Sequence, residues 1–126
     1  MFDTKIKAGT ASLVDIFMKK IQDVEYRSKV QETLVPDNDQ CIASFIKNDL
    51  TAIREGMKKI SMFQLKYMNE AIPFSILDLW QEGLKTEDFF VKLCGSGGGG
   101  YLLIWSEMTQ EILESKLNCS LSKLTN

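Results

Sequence analysis

The residues with the clearest chemical potential lie in one stretch, KLCGSGGGGYLLIW, residues 92–105. Five of the eight glycines in the chain fall between Gly95 and Gly100. Glycine loses more conformational entropy on folding than any other residue, so such a cluster is costly unless bare backbone is needed. Successive small residues can turn their backbone N–H groups toward one point, a nest that binds anions and phosphate above all. A plain flexible connector is the competing reading, with comparable weight on composition alone.

Known phosphate motifs sort the pattern. The G-x-x-x-x-G-K-[ST] loop is absent, because no Lys-Ser/Thr pair follows the glycines. Gly95, Gly97 and Gly100 fit G-x-G-x-x-G, but a dinucleotide fingerprint needs a helix next. Here YLLIW follows, a strand-type run, which excludes that reading. The chain has no histidine, so the commonest general base and metal ligand are missing. Cys41, Cys94 and Cys119 lie far apart with no C-x-x-C pair, so neither a zinc site nor any other metal site is expected. Each cysteine is read as a small buried apolar residue in a reducing compartment.

The elements that must position the glycine run follow from periodicity. At 126 residues the chain is long enough for one domain with a real core. It is 44% hydrophobic and 25% charged, a globular composition, and its net charge of -2 leaves no footprint for nucleic acid. No apolar run reaches the length of a membrane span and no signal peptide opens the chain, so a cytoplasmic location is expected. MFDTKI reads as the end of a strand. Leu13, Val14, Phe17, Ile21 and Val24 then recur at helical spacing over residues 10–30, with Thr10 as N-cap. Pro36 and the Asx residues of VPDNDQ predict a break, and the carboxylates of Asp37 and Asp39 read as turn formers.

A second helix is expected at residues 40–48, with Ile42, Phe45 and Ile46 on one face. Asp49 caps a third, striped by Ile53, Met57 and Ile60. Pro73 opens a fourth, which Gly83 closes. At Asp88 the period changes. Phe89, Val91 and Leu93 alternate with Phe90, Lys92 and Cys94, and YLLIW makes a second strand. Ser106 caps a last helix, and CSLSKL is a final strand. Met57, Met62 and Met68, with Trp80 and Trp105, are assigned to the core or an interface, and Glu107 and Glu111 to a solvated face. The order predicts an α+β fold: a ferredoxin-like split β-α-β with an antiparallel sheet and extra helices in the first crossover.

Two segments resemble a known family. KLCGSGGGGYLLIW resembles the third motif of the GHMP kinase superfamily, a Lys, a short apolar step and G-x-G-x-G-G before a strand. The matching residues are Lys92, Gly95, Ser96, Gly97, Gly99 and Gly100, whereas Tyr101 departs from the small residue usual there. DTKIKAGTASLV is similar to a segment of the mevalonate kinase group, through Asp3, Thr4, Lys5, Thr10, Leu13 and Val14. The resemblance spans nearly the whole chain.

The resemblance implies a two-domain enzyme that transfers phosphate from ATP, with Mg²⁺, to a small-molecule alcohol, mevalonate by first preference. Residues 1–126 would form its C-terminal domain. Gly95, Ser96, Gly97, Gly98, Gly99 and Gly100 would lie near the phosphates and Thr10 near the substrate. The phosphate loop of the type P-x-x-x-G-L-G-S-S, the catalytic Asp and the accompanying Lys belong to the N-terminal domain, and no segment here matches them. The chain is therefore expected to be an isolated fragment whose partner is the missing kinase domain, inactive alone and prone to self-association. Its alternative is a non-enzymatic ferredoxin-like module that binds an anion or another chain.

Overall fold

Short polar caps delimit most of the helices. The computed structural model describes residues 2–3, 10–94 and 101–122, without the side chains of residues 2–3 and 10–12. Strand β1 is Phe2–Asp3 and helix α1 is Thr10–Lys20. The single helix expected over residues 10–30 is two. The Asp23 side chain accepts from the Tyr26 N–H at 3.0 Å, and its extended backbone starts α2, Val24–Lys29. The break expected at Pro36 is absent. A π-helical turn, Val30–Leu34, carries α2 into α3, Val35–Lys47, so Asp37 and Asp39 are helical. Pro36 has no N–H, and its ring would strike the carbonyl one α-turn back. The wider turn, in which the Val35 N–H reaches Val30 O, lets the helix continue past it.

Asn48, at φ 56°, ends α3, and the Asp49 carboxylate caps α4, Leu50–Tyr67, by accepting from the Ala52 N–H. The α3–α4 hairpin is tight at Gly56, where a Cβ would sit 2.9 Å from Cys41 Cβ and Sγ. A 3-10 turn, Asn69–Ala71, leads to α5, Phe74–Thr86. Gly83 lies inside α5 and does not close it. Glu87, at φ 60°, is the C-cap. Gly83 is required by close packing, since a Cβ there would fall 2.5 Å from Phe89 O.

Strands β2, Phe89–Leu93, and β3, Tyr101–Ser106, pair antiparallel in the register Phe89↔Ser106 to Leu93↔Leu102. β1 pairs antiparallel with the other edge of β3, giving the order β1-β3-β2. Alternation sends the two faces of β2 into separate cores. Phe89, Val91 and Leu93 meet Ile76, Trp80 and Leu113 from α5 and α6, Gln110–Leu117. Phe90 meets Cys41, Ile53, Met57 and Ile60 from α3 and α4. Phe89, Phe90 and Val91 are all fully buried. The Trp80 indole N–H donates to Ser61 O and ties α5 to α4.

Ser106 is not the last helix's cap. Its hydroxyl donates to Asp88 O and accepts from the Met108 N–H, and Thr109 caps α6. Residues 119–122, where a final strand was expected, carry none. Met57 and Trp80 are core residues as expected, whereas Met62 is half exposed. The fold is α+β, with helices on both faces of the sheet. Among the described residues, no helix is long and apolar enough to cross a membrane.

Candidate functional site

The end of β2 is fixed by a buried amide. Gln64 Oε1 accepts from the Leu93 N–H at 2.9 Å. Gln64 follows Ile53, Met57 and Ile60 on the buried stripe of α4, and a polar residue at a stripe position was the sequence signal for it. Buried polar groups cost free energy unless bonded, so this contact locks α4 to the strand end. Lys20 performs the same service for α1. Its ammonium donates to Tyr67 O at 2.6 Å and to Glu70 Oε1 at 2.9 Å, and stands 4.8 Å from the Tyr26 ring centroid. No periodicity marks this link, because it joins positions 50 residues apart.

These two anchors shape a cavity of about 220 Å³ between α1 and the end of β2. Leu13, Val14 and Phe17 line it from α1, Gln64 and Met68 from the α4 end, and Leu93 from β2. Its wall is mainly apolar, with Gln64 and Glu70 as polar members. Thr10 is the first residue of α1 rather than its N-cap, and its side chain lies outside the described residues. Gly95, Ser96, Gly97, Gly98, Gly99 and Gly100 also lie outside them. The structure thus brings Leu13 and Val14, from the first of the two motif segments, to Leu93, from the second.

A shallower cleft of about 430 Å³ lies across α1, α2 and α4, lined by Lys20, Asp23, Tyr26, Lys29 and Tyr67 among others. The Tyr26 hydroxyl is buried and has no hydrogen-bond partner among the described residues. Burial, and then the charge of Glu70, push its pKa up, so it stays protonated at neutral pH. The cysteines are free. Burial raises the Cys41 thiol against the opposing pull of Lys92, and burial with the Glu114 charge raises Cys119. Neither is an activated nucleophile. Cys41 is buried as expected, whereas Cys94 and Cys119 are half-buried. Among the described residues, no group of three His, Cys, Asp or Glu side chains is arranged to hold a metal ion.

Comparison of the chain with protein-family models, with curated proteins and with solved structures finds no match.

Proposed function

We propose that this chain is the C-terminal half of an ATP-dependent kinase of the GHMP type, acting on a small alcohol with mevalonate as first choice. One observation carries the reading. The cavity beside Leu93 gathers Leu13 and Val14 with the strand that leads into the glycine run, so two motif segments far apart in sequence meet in space. The strand order supports it further. β1 and β2 both run antiparallel to the β3 between them, which is the strand arrangement of a split β-α-β unit. Helices α1 to α5 then occupy the first crossover of a ferredoxin-like domain.

In this reading the backbone N–H groups of residues 95–100 meet phosphate oxygens of ATP, and Thr10 stands on the alcohol side. Phosphoryl transfer rests mainly on positioning and on electrostatic stabilisation of the phosphates. Glycine backbone supplies donors and room. The base, the Mg²⁺ ligands and the second phosphate loop come from the N-terminal domain.

A coupled ADP-release assay tests the proposal. With Mg-ATP and mevalonate the chain alone gives no turnover. Addition of an N-terminal domain that carries P-x-x-x-G-L-G-S-S gives turnover that depends on both pieces. Turnover by the chain alone, or none from any such pairing, overturns it. A second reading, a non-enzymatic module that self-associates, is favoured by the exposure of Ile42, Ile46 and Leu50 around the α3–α4 turn. Sedimentation of the chain alone tests this second reading, since a stable monomer overturns it, whereas the two-piece turnover assay decides for or against the kinase.

A further inference from the structure

Gln64 is 8% exposed, and its amide is only half used. Oε1 accepts from the Leu93 N–H, whereas Nε2 has no hydrogen-bond partner among the described residues. A buried donor without an acceptor is costly, and this one belongs to a residue that lines the cavity between α1 and the end of β2. The rest of the wall sets what such an acceptor must be attached to. Leu13 and Phe17 from α1, Met68 at the end of α4 and Leu93 from β2 are apolar. Glu70 is the second polar member, and its Oε1 already takes the Lys20 ammonium at 2.9 Å. An anion in the cavity would meet the Glu70 carboxylate, and a cation would find that carboxylate committed to Lys20, so a charged head is disfavoured either way. The volume of about 220 Å³ bounds the body. An apolar cavity of ~150 Å³ holds benzene, so by proportion this one holds roughly nine non-hydrogen atoms.

We propose that this cavity is a binding site for a small neutral alcohol with an apolar body, whose hydroxyl oxygen accepts from Gln64 Nε2. A hydroxyl also carries a proton to offer Glu70 Oε2, which no described residue engages. Phe17 and Met68 suit an aromatic body, through ring–ring and sulfur–ring contact. The site uses neither Thr10 nor residues 95–100, so it stands or falls apart from the kinase reading. A simple packing gap makes the opposite prediction, since it would take any apolar molecule that fits without regard to its head.

The test is a titration of the full chain followed by NMR of its side-chain methyl groups. The probe is 2-phenylethanol, which matches the size of the cavity. Propylbenzene, which lacks the hydroxyl, and phenylacetate, which carries a carboxylate instead, are the comparisons. The alcohol is expected to saturate in the millimolar range, as its size allows, and to shift the methyls of Leu13 and Leu93 while those of Ile53 and Met57, in the other core, stay in place. Gln64→Met keeps the volume and removes the donor. It is expected to weaken the alcohol about tenfold and to leave propylbenzene unweakened. No saturable shift at Leu13 and Leu93 in the wild-type chain overturns the inference. So does an equal loss of both probes in folded Gln64→Met, or phenylacetate binding as tightly as the alcohol. If Gln64→Met fails to fold, the wild-type methyl map and the comparison of alcohol with carboxylate decide.

Discussion

Gly83 and Gly56 both sit inside helices, where alanine is the better former by about 1 kcal/mol. Packing reverses the sign at each. A Cβ at Gly83 would meet the Phe89 carbonyl oxygen at 2.5 Å, and backbone at a strand start has little freedom to yield. A Cβ at Gly56 would meet Cys41 Cβ and Sγ at 2.9 Å. Gly83→Ala should therefore cost about 2–3 kcal/mol, near the upper end for overpacking, and Gly56→Ala about 1–2 kcal/mol. Urea denaturation measures both, and a Gly83→Ala variant as stable as wild type would refute the close approach. Glu87 is a second informative residue. Hydrogen bonding from Lys58 first, and then the charges of Lys58 and Arg54, hold its carboxyl below the ordinary 4.5. The unfolded state then binds the proton more tightly, so the stability contributed is complete above pH 4.5 and is lost as pH falls through the lower folded value. Wild type should melt above Glu87→Gln at neutral pH, and the gap should close on acidification. A gap independent of pH would assign the difference to the αL cap geometry and not to charge.

At the scale of elements, Pro36 explains where reading from sequence stops. Proline followed by Asp37, Asn38 and Asp39 has the local chemistry of a turn. The helix persists because Cys41 and Ser44 are buried against α4, and tertiary docking outweighs local preference. The π turn relieves the clash that proline brings to a helix interior, a cost of about 3 kcal/mol when unrelieved. Pro36→Ala should accordingly change stability by less than about 1 kcal/mol. A gain near the full interior penalty would show that the π turn leaves the strain in place. The strands were legible for the opposite reason. Residues 89–93 alternate, and each parity enters its own buried cluster, so local pattern and tertiary demand agree. Gly83 misled because a glycine near a helix end resembles a C-cap, whereas its role is set by Phe89, six residues on. Ser106 misled because Thr109, three residues later, has the same capping chemistry. The site was legible only in part. Gln64 is visible as a polar break in an apolar stripe, but the Lys20–Glu70 link is a long-range pairing that no local window contains.

For the whole molecule, the kinase reading and the bare-connector reading diverge most sharply at the glycine run. Gly97 belongs to the matched pattern and lies away from both strand ends, Leu93 and Tyr101. A β-branched residue reaches positive φ only with strain, and its side chain fills space that phosphate or a facing loop needs. β2 and β3 are held by their pairing register and by the two cores that the faces of β2 enter. Gly97→Val should therefore leave the melting temperature of the chain nearly unchanged. In the two-piece kinase it should cut kcat sharply. By analogy with oxyanion-type donors, each N–H that loses its aim costs on the order of 3 kcal/mol in the transition state. Thr10→Ala provides the contrast in the same assembly, since it should raise KM for the alcohol more than KM for ATP. Loss of stability with unchanged kinetics would reduce Thr10 to a helix-start residue. If Gly97→Val and Gly99→Val both leave kcat and KM at the wild-type values, the glycines merely connect β2 to β3 and the phosphate reading fails with them.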